Sequence, residues 1–324
     1  MCAERLCSDC ESRQAVYFDS TSGLRYCASC FVHKVYRGAL RNIKNEHMIE
    51  RGDNVMLALS GGKDSVVLAD IMAKLAKRFN GITLSAVTID EGVTVAGGAY
   101  RQEAARIARD VCDKLSIPHR QFSYQELFGA SLGSYLETSS YKGSACGICG
   151  VLRRRALNIA AKELGATKIA TGHNKDDEAQ TMLMNLFRGD LDRILRNATT
   201  TAGFVPRIKP LRKTSEREIA MYAYLQGFQF QSIECPYSHD TTRDKVRGIL
   251  ETASEFASGT SDALLNLQEK LAELFGERQG NMRPCVRCGE PTSPKRTTCK
   301  ACEFELERNI HSALPEESRN PSLS

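Results

Sequence analysis

The sequence predicts an α/β protein: a doubly wound, mostly parallel sheet with a small cysteine-rich module at each end. Three observations carry that expectation. Between residues 46 and about 255, short apolar runs alternate with helical apolar spacing, the pattern of a parallel sheet covered on both faces. One run, Asn54-Val-Met-Leu-Ala-Leu59, passes through Ser60-Gly-Gly-Lys-Asp-Ser65 directly into the helical spacing of Val66–Leu75. Finally, eight of the 13 cysteines fall in four Cys-x-x-Cys pairs that flank the middle of the chain.

Composition narrows the class. A chain of 324 residues holds one large domain plus small modules, and 42% hydrophobic residues support a real core. No apolar run approaches a membrane span, and Met1–Cys7 has no signal-peptide apolar region, so a cytoplasmic protein is expected. The net charge of +5 is mild, but Leu186–Lys213 holds seven Lys/Arg against two acids. In such a chain, paired cysteines point to metal before disulfides. Five segments are expected: 1–45, a zinc ribbon with a basic helix; 46–255, the α/β domain; 256–280, a connector helix; 281–310, a second ribbon; and 311–324, a disordered tail.

Taken in order, Cys7/Cys10 and Cys27/Cys30 are separated by sixteen residues, the spacing of a four-thiolate zinc ribbon. Ala15–Phe18 and Leu24–Tyr26 read as its hairpin around Ser22-Gly23. His33 is an alternative ligand to Cys30, although four sulfurs already complete a tetrahedron. A module this small needs a staple beyond apolar burial. Phe31–Asn45 is a basic helix, either a solvated face or an RNA phosphate contact.

Ser60–Ser65 sits between a strand and a helix N-terminus, where backbone N–H groups and the helix dipole attract anions. Lys63 and the hydroxyls of Ser60 and Ser65 can add phosphate contacts. Leu57 and Asp64 stand where a Walker A loop requires Gly and Ser/Thr, so this is a different phosphate loop. The second strand, Leu84–Ile89, brings Ile89 and Asp90 to the carboxyl edge, where ligands of such sheets bind and a strand-end backbone could read an adenine. Tyr100–Leu115 is a helix with Cys112 as a core thiol, and His119–Tyr124 is a strand.

Cys146 and Cys149 precede an Arg-rich helix that should favour their thiolates. Lys168–His173 is a strand running into a loop. Gly172-His173 and the two acids Asp176 and Asp177 read either as a helix start or as a site for ATP and Mg²⁺. Phe204–Leu211 is too proline-rich for a central strand. Ser215–Leu225 is a helix, and Phe228–Glu234 reads as a last strand ending at Cys235. An amphipathic connector helix is expected over Ala253 to about Gly276. Cys285/Cys288 and Cys299/Cys302, with ten residues between and Gly289 at the knuckle, form the second ribbon.

The chain resembles the family of cytosolic and archaeal tRNA 2-thiouridine synthetases, with the bacterial two-thioribothymidine synthetases as cousins. The resemblance rests on the flanking ribbons, Ser60–Ser65, Cys146-Gly-Ile-Cys-Gly150, Thr171-Gly-His-Asn-Lys-Asp-Asp177, Met184–Asp190, Glu234-Cys-Pro-Tyr-Ser238 and Asn281–Cys285. It implies an ATP-pyrophosphatase (PP-loop, adenine nucleotide alpha-hydrolase-like) domain that adenylates the 2-oxo group of a tRNA uridine and replaces it with sulfur. Implied ATP contacts are Ala58, Ser60, Gly61, Gly62, Lys63, Asp64, Ser65, Ile89, Gly172, His173 and Asp177, with Mg²⁺ at Asp176 and Asp177. Implied catalytic residues are Lys63, Asp64, Asp177, Arg153, Cys146, Cys149 and Cys235. The three cysteines match the ligands of a [4Fe–4S] cluster with one open iron; a redox disulfide or persulfide pair with a structural Cys235 is the alternative. Cys112 and Cys2 offer no evident fourth ligand. Arg153 stands where the ribothymidine branch carries Lys, which favours wobble uridine 34 in the anticodon loop over position 54. A ubiquitin-like sulfur carrier or inorganic sulfide would donate sulfur, and a homodimer is usual. Two other classes remain: a PP-loop ligase or amidotransferase forming an acyl-adenylate, which needs none of the three cysteines, and a non-enzymatic zinc-ribbon RNA binder.

Overall fold

A computed structural model describes residues 6–94, 98–139, 144–196, 203–238, 241–275 and 282–313. Its centre is a five-stranded parallel sheet made of β3 (Asn54–Ala58), β4 (Thr83–Asp90), β5 (His119–Ser123), β6 (Lys168–Ala170) and β7 (Arg207–Ile208), in the order β5-β4-β3-β6-β7. β3 pairs with β4 through Val55↔Leu84 and with β6 through Val55↔Lys168. Both faces of β3 are covered, which is why its sequence is a continuous apolar run rather than an alternating one. Successive side chains still go to opposite faces. Val55 and Leu57 join one buried cluster and Met56 the other, all at 0–1% exposure.

Helices α1 (Ala28–Asn45), α2 (Lys63–Arg78), α3 (Ala99–Leu115) and α9 (Glu216–Leu225) build the first face. The second carries α4 (Tyr124–Phe128), α5 (Leu132–Thr138), α6 (Ala145–Glu163) and α12 (Lys300–Ala313). A third cluster joins α7 (Lys175–Phe187), α10 (Thr242–Phe256) and α11 (Thr260–Phe275) through Ala179, Val246, Leu250 and Leu265. The short α8 (Leu191–Arg196) follows α7. Cys112 is fully buried in the first cluster, as expected of a core thiol, and burial pushes it up to about 12.

Three sequence expectations change. Phe228–Glu234 is not a strand. The edge beside β6 is taken by β7, and the Gln231 N–H donates instead to the Gly61 carbonyl at 2.9 Å. The proline-flanked β7 lies at the sheet edge, where its missing donors cost least. The connector helix is two helices, broken at Gly259, whose φ of +83° suits glycine. The helix after Leu132–Thr138 starts at Ala145, so Cys146 and Cys149 lie inside it rather than before it. Cys2, Asn281 and residues 314–324 lie outside the described residues. No described helix is long and apolar enough to cross a membrane.

Each end carries a two-stranded antiparallel hairpin, β1 (Tyr17–Phe18) with β2 (Arg25–Tyr26) and β8 (Arg283–Pro284) with β9 (Pro291–Thr292). Ion pairs dock both modules on the sheet domain: Lys34 with Glu218 at one end, Arg155 with Glu305 at the other. Gly289 has φ +71° at its knuckle, and its N–H donates to the Cys285 carbonyl at 2.9 Å.

Candidate active site

The chain order reverses at β3: β4 and β5 extend one way, β6 and β7 the other. The crevice at the carboxyl ends of β3 and β6 is therefore the switch point, where doubly wound sheets bind ligands. Ser60–Gly62 leaves β3 into this crevice. Gly61 has φ +82°, and a Cβ there would lie 2.6 Å from the Ala104 carbonyl oxygen, so only glycine fits. Gly62 caps α2 without a side chain, which leaves the first-turn N–H groups uncapped by any side chain. The Ser65 hydroxyl donates to the Gly62 carbonyl at 2.8 Å and accepts from the Ser60 N–H at 3.2 Å. Ser65 is thus a buried brace of the loop, while Ser60 is exposed on it.

The β6–α7 loop forms the opposite wall. A Cβ on Gly172 would sit 2.9 Å from the Ser65 nitrogen, so its lack of a side chain lets the loop seat against the start of α2. His173 is exposed there, its Nδ1 2.8 Å from the Thr171 hydroxyl. Asn174 and Asp177 form a capping box, and the Asn174 amide also donates to Asp64 Oδ1 at 2.9 Å. Asp177 Oδ1 accepts from Arg243 at 3.3 Å. Lys63 Nζ lies 2.6 Å from Glu216 and 3.2 Å from Asp64. Burial opposes its charge, but Glu216 and Asp64 outweigh burial and hold the ammonium above its ordinary pKa. Asp176 faces elsewhere: one oxygen accepts the Glu216 N–H at 2.7 Å and the other the Ser261 hydroxyl at 3.2 Å. Ala58 ends β3 below the loop. Ile89 is the last residue but one of β4, and its carbonyl accepts from Arg101 at 2.8 Å.

The cysteine corner lies along the same sheet edge. Cys146 is in the first turn of α6, and its thiol reaches the Tyr237 carbonyl at 3.6 Å. The Cys235 carbonyl closes a turn by accepting from both the Ser238 N–H and hydroxyl, at 2.9 and 2.6 Å. Arg153 donates to Cys149 Sγ at 3.5 Å, and the Tyr124 hydroxyl donates to the Cys149 carbonyl at 3.0 Å. Desolvation and the Cys235 sulfur raise the Cys146 thiol, and Arg153 lowers it less. The expected electrostatic preference for thiolate is not met at Cys146.

Two features of this corner were missed in the sequence. Glu91, 1% exposed, pairs with the buried Arg101 and with the exposed Arg153 (2.6 Å), which also reaches Cys149. Its signal was an acid at the carboxyl end of β4 before Gly92. Gln231 ties the phosphate loop to the start of α3, giving its N–H to Gly61 and its side-chain amide to the Tyr100 carbonyl at 2.7 Å; nothing in its local sequence marks it.

The donor sets fit the implied groups. Cys7, Cys10, Cys27 and Cys30 form one quartet, and Cys285, Cys288, Cys299 and Cys302 another, each with sulfurs within 4.8 Å of one another. Cys10 to Cys27 is 3.8 Å and Cys288 to Cys299 is 3.7 Å. A tetrahedral ion with bonds of about 2.3 Å sets its sulfurs about 3.8 Å apart, whereas a disulfide would need about 2.05 Å. Each quartet therefore has the geometry to hold a tetrahedral metal ion, and His33 is not needed in the first. Among the described residues, Cys146, Cys149 and Cys235 do not form so tight a group. Their thiols are the donor type that iron–sulfur clusters take.

A family model described as a PP-loop domain matches residues 35–253. The tRNA 2-thiolation protein NcsA of Haloferax volcanii is 35% identical over 319 residues, covering 92% of this chain and 97% of that one. The cytoplasmic tRNA 2-thiolation protein 1 of Danio rerio is 34% identical, covering 91% and 86%. Among solved structures, the U34-tRNA thiolase NcsA from Methanococcus maripaludis with its [4Fe-4S] cluster matches with a TM-score of 0.80 and 28% identity, covering 94% and 96%. These matches take in nearly the whole chain, and it therefore belongs to the PP-loop family, within its tRNA 2-thiolation branch.

Proposed function

We propose that the chain is a cytoplasmic, ATP-dependent tRNA sulfurtransferase that converts the wobble uridine to 2-thiouridine. The observation that carries this reading is the placing of two chemistries on one sheet edge. A phosphate loop with a charged lysine stands on one side and three cysteines on the other. The archaeal U34-tRNA thiolase matched above supports the choice of base and of cluster.

The residues divide the work as follows. The α2 amides and Lys63 receive the β- and γ-phosphates of ATP. Asp64 and Asp177, linked through Asn174, would hold Mg²⁺, and Asp176 positions Glu216 and so Lys63. The uridine O2 attacks the α-phosphorus, pyrophosphate leaves, and Lys63 balances the charge that develops on it. Sulfur then attacks C2, and AMP departs with the former O2. Cys146, Cys149 and Cys235 would hold a [4Fe–4S] cluster, which supplies an open coordination position for sulfide. The Glu91–Arg153 pair keeps a cation beside Cys149, where negative sulfur arrives. The donor is sulfide or a ubiquitin-like protein thiocarboxylate. An anticodon-loop base suits the open crevice because it can be unstacked and splayed into it.

The test is anaerobic incubation of purified protein with tRNA, ATP, Mg²⁺ and sulfide, followed by nucleoside mass spectrometry and fragment mapping. Sulfur is expected at position 34. Sulfur only at position 54 would move the target to the ribothymidine loop, and no thiolated nucleoside would refute the reading.

Two zinc ions per chain are also expected. Metal analysis of folded protein should give that ratio. Chelation should release the ribbons before the sheet domain, because structural zinc contributes folding free energy directly. Folded, active protein without zinc would remove this assignment.

A further inference from the structure

The sheet domain has a second groove, at the opposite edge from the active site. It encloses about 1340 Å³ between the C-terminal half of α1, the loop into β3 and the end of α2. Ile43, Leu75 and Ile82 line it, and Arg37, Arg41, Lys44, Arg51 and Arg78 stand along it, all five exposed. Glu50 is the one Asp or Glu among its lining residues. None of the five has a carboxylate within ion-pair distance among the described residues.

The groove is also held rigid. The Gly52 N–H donates to the Gly81 carbonyl at 2.7 Å, and Glu50 N–H to Asp53 at 2.7 Å. Gly81 has φ +103°, and a Cβ there would lie 3.0 Å from Arg51 Cγ, so the Arg51 stem rests on a bare glycine. Phe79 is 48% exposed on the same rim. Lys63 opens α2 and Arg78 closes it, which separates groove and phosphate loop by about 22 Å. A small substrate cannot touch both.

We propose that this groove is a second anchoring site for the RNA substrate and grips the phosphate backbone of a stem remote from the modified base. The inference rests on the tRNA reading above. Five unneutralised cations on two facing walls suit a polyanion's phosphates. The interior of a protein–protein interface is instead depleted of charge.

The experiment uses the full chain and two RNA probes, whole tRNA and the isolated anticodon stem-loop, in equilibrium titrations at several salt concentrations. One variant combines Arg37→Gln, Arg41→Gln and Lys44→Gln on the exposed face of α1. The other combines Arg51→Gln and Arg78→Gln on the facing wall. Wild type should bind whole tRNA more tightly than the stem-loop. Each variant should lose roughly 10- to 100-fold in affinity for whole tRNA, and its salt slope should flatten by about one unit per cation removed. Stem-loop binding and ATP binding should not change. Unchanged tRNA affinity and slope in both variants would overturn the groove, as would a change in self-association alone. Failure of the tRNA reading shows separately, as no thiolated nucleoside from wild type with either RNA.

Discussion

Lys63→Ala is expected to cut pyrophosphate release and tRNA thiolation by at least 10²- to 10³-fold, the range seen when one preorganised group that meets developing charge is removed. Lys63 stands in the phosphate loop at the first turn of α2, and it is already aimed. Glu216 and Asp64 hold Nζ at 2.6 and 3.2 Å, so little reorganisation accompanies ATP binding. Its side chain is partly exposed at the first turn of α2 and fills no core space. The fold should therefore survive, with a stability change below about 1 kcal/mol. The effect should fall on kcat more than on the KM for ATP, because the α2 amides still bind phosphate. Wild-type turnover by this variant would remove Lys63 from the mechanism.

Cys146→Ser, Cys149→Ser and Cys235→Ser should each abolish thiolation, by about 10³-fold or more, since each would break the set that holds the iron. Protein purified and reconstituted without oxygen should contain iron and labile sulfide and show broad visible absorption. Each of the three variants should lose that absorption and keep ATP binding. Cys112→Ser is the control. It buries a hydroxyl in an apolar cluster at a cost of about 1–3 kcal/mol, yet it should keep both absorption and activity. Full thiolation by iron-free protein would favour a persulfide on one of these cysteines.

The parts of this molecule legible in the sequence are those with a local physical cause. β3 showed as an apolar run because both its faces are buried. The phosphate loop showed because Gly61 and Gly62 leave room for backbone at a strand-to-helix turn. The two cysteine quartets showed because four thiolates that can meet at one ion need knuckle spacing. What misled was context. Phe228–Ile233 alternates like a strand, but β7 already holds the sheet edge, so the segment straps the phosphate loop instead. Cys146 and Cys149 were expected ahead of the Arg-rich helix, yet they lie in the first turns of α6. Glu91 and Glu216 gave no signal as partners because Arg153 and Lys63 reach them from 62 and 153 residues away. Asp176 and Asp177 are adjacent in sequence but point to different partners, which no spacing rule reveals.

The central claim is that ATP is spent to turn a uridine oxygen into a leaving group at this crevice. The measurement that tests it most directly counts pyrophosphate and AMP against 2-thiouridine in one anaerobic reaction, with and without tRNA. One pyrophosphate and one AMP for each thiouridine, with release dependent on tRNA, is the expected result. Thiouridine formed without ATP, or pyrophosphate released at the same rate with no tRNA present, would contradict it.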